Sequence, residues 1–192
     1  MENNVDNYIM LKNAIPKKLC DEIIRESETQ EWRTHTWYSP TTKGYGSEET
    51  KELEVCNCMD KHDSKLKPYV IEVLKEYQKS FTAKTQDDSK LGYSWISKIS
   101  NLRLNRYSKG TKMREHQDHI HSIFDGKAKG VPILSIIINL NEDYNGAEFY
   151  CRGKELKLKT GDVLIFPSNF MFPHEVKECL DGVRYSIVAW AY

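Results

Sequence analysis

No apolar run in this chain approaches the ~20 residues a membrane-crossing helix needs. The longest, Val131 to Ile138, is broken by a proline and a serine. Met1 to Asp6 contain neither a basic nor an apolar segment, so no signal peptide is expected and the cytoplasm is the expected compartment. An excess of either charge is also missing. The 28 Lys+Arg balance 28 Asp+Glu, which removes any global electrostatic reason to expect nucleic acid or an anionic membrane as a partner. The five cysteines offer no pairing pattern. Cys56 and Cys58 lie close together but lack the second pair of a soft-metal site, so free thiols in a reducing compartment are expected. Internal repeats and low-complexity linkers are absent too. What remains is a single domain of 192 residues, with its oligomeric state unspecified.

Two textures divide the domain. In residues 1–95, Tyr8 to Ile15 reads as a short strand ended by Pro16. Lys18 to Glu28 carries Leu19, Ile23 and Ile24 on one side, which predicts an amphipathic helix. Trp32 to Pro40 has strand character, and Thr41 to Thr50 reads as a loop. Asp63 to Phe81 places Leu66, Val70, Val73, Leu74 and Tyr77 at helical spacing, with Pro68 near the expected first turn. Gln86 to Lys90 is a polar loop. From Trp95 onward, short runs rich in Ile, Leu, Val, Tyr and Phe alternate with turn signals. These fall at Ser108-Lys109-Gly110, Asp125-Gly126, Asn141 to Gly146, Arg152-Gly153, Thr160-Gly161 and Asp181-Gly182. Regular short strands of this kind predict a β-sandwich or barrel over 96–192, supported by the N-terminal helices.

The candidate chemistry lies in the second half. On a strand, residues two apart share a face, so His116 and Asp118 can present an imidazole and a carboxylate to one point. His174, after Pro173, can bring a second imidazole from a distant strand. Two histidines and one carboxylate on one face of a metal, with positions left open, are the ligand set of non-haem Fe(II) oxygenases. Arg184 stands in the otherwise apolar stretch Val183 to Trp190, and a buried guanidinium calls for a carboxylate partner. That partner is either a co-substrate or, as a plain structural ion pair, Glu175 or Asp162. If Lys177 to Gly182 is a hairpin connection, Arg184 returns beside His174. His119 and His121 read as rim or surface groups, and His35 and His62 as structural.

A lone His-x-Asp is weak, but further segments accompany it. Asn105-Arg106-Tyr107-Ser108-Lys109-Gly110 leads into the triplet. Leu140-Asn141-Glu142-Asp143, Gly146-Ala147-Glu148, Gly161-Asp162-Val163-Leu164-Ile165-Phe166, Pro173-His174-Glu175-Val176 and Arg184-Tyr185-Ser186 follow. Together they resemble the 2-oxoglutarate and Fe(II)-dependent dioxygenases, in particular the prolyl 4-hydroxylase-like branch, over Ile99 to Trp190. The resemblance implies a mainly β protein with N-terminal helices and a double-stranded β-helix (jelly-roll) core. It implies that His116, Asp118 and His174 bind Fe(II) and that Arg184 holds the distal carboxylate of 2-oxoglutarate. Tyr107, Ser186 and Asn105 would be further cofactor partners. Asn139 stands where the animal oxygen-sensing prolyl hydroxylases have a tyrosine, so its part in cofactor binding departs from theirs.

The implied activity is hydroxylation of an unactivated C–H bond. O2 and 2-oxoglutarate are consumed, succinate is released, and ascorbate is a candidate reductant. A prolyl residue in a peptide or protein is the expected target. The segment Asn105-Arg106-Tyr107 ahead of His-Gln-Asp also resembles the AlkB-type nucleic-acid demethylases. That branch has a longer interval from distal histidine to arginine and a second downstream arginine, neither of which is found here. A nucleobase or small-metabolite oxygenase is therefore the alternative reading, and a non-enzymatic β-barrel binding module the third. Substrate choice is expected to reside in loops such as Thr41 to Thr50 and His119 to Lys129.

Overall fold

The computed structural model describes residues 4–39, 44–46, 51–56, 60–84, 96–118 and 131–192. The expected loop Gln86 to Lys90, the Asp125-Gly126 turn, His119, His121 and Cys58 lie outside the described residues. A 3-10 turn at Val5–Tyr8 precedes strand β1 (Met10–Asn13), helix α1 (Lys17–Ser27), β2 (Arg33–Thr34), β3 (Trp37–Ser39), β4 (Gly44–Gly46) and β5 (Glu54–Cys56). Helix α2 (Asp60–Lys84) follows, then β6 (Arg103–Tyr107), β7 (Met113–His116), β8 (Leu134–Asn139), β9 (Tyr144–Gly146) and β10 (Phe149–Cys151). The chain ends through β11 (Lys154–Leu156), β12 (Asp162–Pro167), β13 (His174–Val176), β14 (Cys179–Gly182) and β15 (Arg184–Ala191).

Antiparallel pairing joins these strands into a seven-stranded sheet, β1-β12-β8-β15-β6-β5-β2, and a four-stranded sheet, β11-β10-β13-β7. Two two-stranded sheets, β14-β9 and β3-β4, complete the set. The larger sheet is covered on both faces, and strand periodicity sorts its side chains between them. Ile136, Ile138, Val163, Ile165, Ile187 and Ala189 join Cys20 and Ile23 of α1 and Leu66, Val70 and Tyr77 of α2 in one apolar cluster. The alternate residues Ile137, Leu164, Phe166 and Val188 join Met113, Phe149, Cys151 and Val176 of the smaller sheet in a second cluster. The space between the two sheets is therefore a defined inner face, and any polar residue of suitable parity on β6, β8 or β15 must enter it.

Three expectations are revised. Helix α2 begins at Asp60, so Pro68 lies in its interior. The position is solvent-exposed, as is Ser64, whose carbonyl the missing N–H would otherwise engage. Within the expected loop Thr41 to Thr50, Gly44–Gly46 is a strand: Tyr45 stands opposite Tyr38 and Gly46 opposite Trp37. The remaining residues of that loop lie outside the described ones. Finally, Arg184 does not return on a strand beside His174. β13 belongs to the smaller sheet, β14 pairs with β9, and β15 lies in the larger sheet between β6 and β8. The chain crosses from one sheet to the other, and the near-continuous burial of β15 suits a central strand covered on both faces.

One turn ties the N-terminal elements to this frame. Gly161 has φ +85, its N–H donates to the Asn139 carbonyl at 2.8 Å, and its own carbonyl accepts from Ala14 and Ile15 at 3.0 and 2.9 Å. A Cβ at this position would meet the Ile15 carbonyl oxygen at 2.1 Å. Gly161→Ala is therefore expected to destabilise the protein by about 2 kcal/mol or more, through left-handed strain plus that clash. A urea midpoint indistinguishable from wild type would show that the turn is not needed.

Candidate metal centre and carboxylate pocket

The register of β13 against β7 sets His174 directly opposite His116. Their ring centroids lie 4.3 Å apart. Each ring has its Nδ1 against a carbonyl two residues earlier, Arg114 at 2.9 Å and Phe172 at 3.1 Å. With those carbonyls accepting from Nδ1–H, both Nε2 lone pairs are left for a common point, as a metal ligand requires. His174 is also held by aromatic neighbours, Phe166 edge-on at 4.9 Å and Phe149 stacked at 5.8 Å.

Only His116 of the His-Gln-Asp triplet lies on a strand, since β7 stops there and Asp118 lies beyond it. Asp118 nevertheless faces the histidines. Its Oδ1 is 3.4 Å from His116 Nε2 and its Oδ2 3.7 Å from His174 Nε2. The Ser135 hydroxyl, on β8 of the opposite sheet, donates to Oδ2 at 2.6 Å, and Ser168 touches Ser135 at 2.6 Å. The three candidate ligand atoms fall within 4.8 Å of one another. Bonds of ~2.1 Å hold neighbouring ligand atoms of a first-row dication about 3–3.5 Å apart, so a small contraction closes the set around an ion.

Electrostatics prepare the cluster for a cation. Burial acts to raise the Asp118 carboxyl, but hydrogen bonding to His116, the nearby His174 and the Ser135 hydroxyl hold it well below the usual carboxylate range. Burial pushes His174 down to about 4, so its imidazole is neutral and able to ligate at neutral pH.

The second feature lies farther along the inner face. Arg184 is 1% exposed. Its Nε donates to Asn139 Oδ1 at 3.1 Å, while Nη1 and Nη2 are buried with no hydrogen-bond partner among the described residues. The ion-pair reading of Arg184 does not hold. Glu175 is taken by Lys177 at 2.6 Å, and Asp162 accepts from Asn13 and from the Lys159 N–H. An unpaired buried guanidinium fork is costly unless a ligand supplies the anion. A cavity of about 290 Å³ reaches Arg184, lined by Tyr144, Phe149, Leu156 and Leu158 together with Glu142, Glu148, Glu155 and Lys157. Tyr107 is directly opposite Arg184 in register, with the guanidinium 5.3 Å from its ring centre. Burial raises the Tyr107 phenol, so it is a neutral donor. Asn105, Ser186 and Asn139 form the next row across three strands. Asn139 thus contacts the arginine, and its Nδ2 donates to the Asn141 carbonyl at 2.7 Å.

Sequence reasoning missed Ser135 and Trp37. A hydroxyl inside Leu134 to Ile138 was a usable signal for Ser135. Nothing local marks Trp37, which meets His116 edge-on at 5.1 Å and His35 at 4.8 Å, and donates to Glu52 at 2.8 Å. His35 therefore lies next to the centre, whereas His62 ties α2 to α1 through Glu26 at 3.1 Å.

Removing any of His116, Asp118 or His174 as alanine should weaken Fe(II) binding at least tenfold in anaerobic titration while leaving the fold intact by circular dichroism; undiminished binding in all three variants would dismiss the cluster as a metal site. Burial, with the positive Arg103, His116 and Arg114 nearby, lowers His35 from 6.5 to about 4. Between those pH values the unfolded chain binds more protons than the folded one, so stability falls as pH drops from 6.5 toward 4. His35→Leu should flatten that slope in urea melts of the metal-free protein, and an unaltered slope would place its origin elsewhere.

Residues 102–192 match the model of the 2OG-Fe(II) oxygenase superfamily. A PKHD-type hydroxylase of Prochlorococcus marinus is 28% identical over 88 residues, covering 44% of this chain and 39% of that protein. The chain thus spans about two fifths of this relative's length. Among solved structures, a Trichoplax adhaerens prolyl hydroxylase in complex with a hypoxia inducible factor oxygen degradation domain peptide superposes with a TM-score of 0.68. It is 15% identical, with 97% of this chain and 84% of that one covered. A Pseudomonas putida prolyl-4-hydroxylase gives a TM-score of 0.61 at 15% identity, with 96% and 91% covered. At such identities the likeness is one of fold. The matched segment contains all three members of the histidine–aspartate cluster and Arg184, and over that segment the chain resembles the 2OG-Fe(II) oxygenase superfamily, in particular its prolyl 4-hydroxylase-like branch.

Proposed function

We propose that this protein is a 2-oxoglutarate- and Fe(II)-dependent dioxygenase that hydroxylates an unactivated C–H bond, with a prolyl residue of a peptide or protein as its target. The observation that carries the reading is the buried, anion-less fork of Arg184 on the same inner face as the His116–Asp118–His174 cluster. A metal site alone would suit many chemistries. A metal site near a buried guanidinium that a neighbouring cavity reaches suits a chelating co-substrate that has a second carboxylate.

In this reading His116, Asp118 and His174 hold Fe(II), and Arg184 pairs with the distal carboxylate of 2-oxoglutarate. Tyr107, Ser186 and Asn105 donate hydrogen bonds within the same pocket, and Asn139 fixes the guanidinium. The bound metal and co-substrate supply the oxidising power: R–H, O2 and 2-oxoglutarate become R–OH, succinate and CO2, with ascorbate as a candidate reductant. The chain's own contribution is orientation and exclusion. Phe149 and Phe166 fix the His174 ring, Ser135 holds the Asp118 carboxylate, and the apolar inner cluster keeps water from the reacting centre.

The two facing antiparallel sheets suit a jelly roll, with residues 1–95 as helical support and 96–192 as the core of one domain. No helix among the described residues is long and apolar enough to cross a membrane, and the cytoplasm is the proposed compartment. A peptide partner rests on the likeness to prolyl hydroxylases, one of them in complex with a peptide. The even charge balance gives no broad phosphate-binding surface.

Arg184→Ala should lower 2-oxoglutarate affinity at least tenfold, since losing a buried charge-assisted fork costs about 2–5 kcal/mol. Isothermal titration checks this, and equal affinity would move the anchor away from Arg184. Mass spectrometry after incubation with proline-containing peptides, methylated oligonucleotides and free amino acids decides the substrate class. A gain of one oxygen on peptide supports the proposal; oxidation of oligonucleotide or free amino acid alone replaces it.

A further inference from the structure

A second arginine shares the inner face, and neither the metal cluster nor the 2-oxoglutarate pocket uses it. Arg103, Asn105 and Tyr107 have the same parity on β6. Arg103 stands opposite Val188, which stands opposite Ile137 on β8, so the three make one row across the sheet. In the adjacent row Trp190 is opposite Ser135, the residue that holds Asp118. Tyr107, opposite Arg184, is four residues away, or about 13 Å along the strand. The two arginines therefore occupy opposite ends of one face, and Arg103 is at the end that supports Asp118.

Acceptors near Arg103 are few: Asn105 Oδ1 is in contact, and the Asp118 carboxylate favours the guanidinium charge from beyond ion-pair distance. The Arg103 Nε donates to Asn105 Oδ1 at 3.1 Å, and its guanidinium lies 5.3 Å from the Trp190 ring centre. No carboxylate among the described residues forms an ion pair with it. Trp190 Nε1 is buried with no hydrogen-bond partner among the described residues. A partly buried cation that stacks on an indole with an unspent N–H is complementary to an anion with several lone pairs. A structural arginine would have a carboxylate or carbonyl on its terminal nitrogens, as Arg106 has Glu54 at 2.8 Å. Arg103 has neither among the described residues.

We propose that Arg103 is the substrate-anchoring residue of this oxygenase, pairing with a carboxylate of the substrate while Arg184 holds the co-substrate's. The proposal rests on the dioxygenase reading above and deepens it: the substrate carries an acidic group close to the carbon that is hydroxylated. That group has two sources, an acidic side chain flanking the target residue or the free α-carboxylate of a terminal or single amino acid. A charge-selective anchor at the metal end of the face fixes which C–H bond is presented, as a positioned ion pair does in a desolvated site.

The test compares wild type with Arg103→Met on three matched ligand pairs, in anaerobic protein loaded with Fe(II) and 2-oxoglutarate. The pairs are a proline peptide with a neighbouring Asp or Asn, a C-terminal proline peptide as free acid or amide, and L-proline against L-prolinamide. Isothermal titration reads affinity. Wild type should prefer the acid of at least one pair tenfold or more, and Arg103→Met should bind both members of that pair within a factor of about three. Arg103→Lys should restore part of the preference, which a purely structural role on Trp190 would not do. Preference confined to the third pair keeps the Arg103 anchor and removes the peptide reading. Absence of acid preference in every wild-type pair, or its survival in Arg103→Met, overturns the anchor, whatever becomes of the oxygenase assignment.

Discussion

The Arg184 guanidinium, 1% exposed and without an anion among the described residues, is the constraint that organises this molecule. Burying such a charge unpaired is costly, so neighbouring groups must lessen the penalty until a ligand arrives. Asn139 gives one oxygen to Nε, and the Tyr107 ring offers its face at 5.3 Å. The remaining deficit is the attraction that a dicarboxylate would meet on entering the 290 Å³ cavity. Binding then does two things at once: it fills the fork, and it adds stability to a fold that is less stable without it.

Strand periodicity makes this possible. The outward residues of β8, β12 and β15 are almost uniformly aliphatic and lock the larger sheet against α1 and α2. Polar groups can then be gathered on the alternate parity without loosening the sheet. Ser135, Asn139, Arg184, Ser186, Asn105 and Arg103 all sit there, each flanked along the strand by an outward-facing residue of the opposite parity. A site built on central strands held from behind by an apolar cluster is rigid, which suits chemistry that depends on fixed distances.

Much of this was legible in the sequence, and the reasons for the misses are specific. The His116–Asp118–His174 grouping was readable because its residue types are rare in combination, and Arg184 because a cation inside an apolar run is anomalous. The turn signals on either side of the short strands were readable because each needs a particular backbone geometry, as at Gly161. The partner strand of β15 was not readable. A hairpin and a crossover share the same local residues, and only the covering of both faces of β15 distinguishes them. The end of β7 at His116 was equally hidden, because the Ser135 hydroxyl that brings Asp118 back comes from the other sheet. Trp37 and His35 reach the centre from far along the chain and had no local mark at all.

The crossover has a consequence that a hairpin would not. Because His116 and His174 belong to the smaller sheet while Arg184 and Ser135 belong to the larger, neither sheet contains a complete site. The metal cluster and the carboxylate fork are set at their working separation by what fills the gap between them, chiefly Phe149, Phe166, Val176 and Val188. Aromatic groups are suited to that duty: Phe149 and Phe166 are large, have few rotamers, and both rest against the His174 ring. In the proposed reading the inner apolar cluster is thus part of the chemistry, in that it sets the distance between the histidine–aspartate cluster and the two arginines.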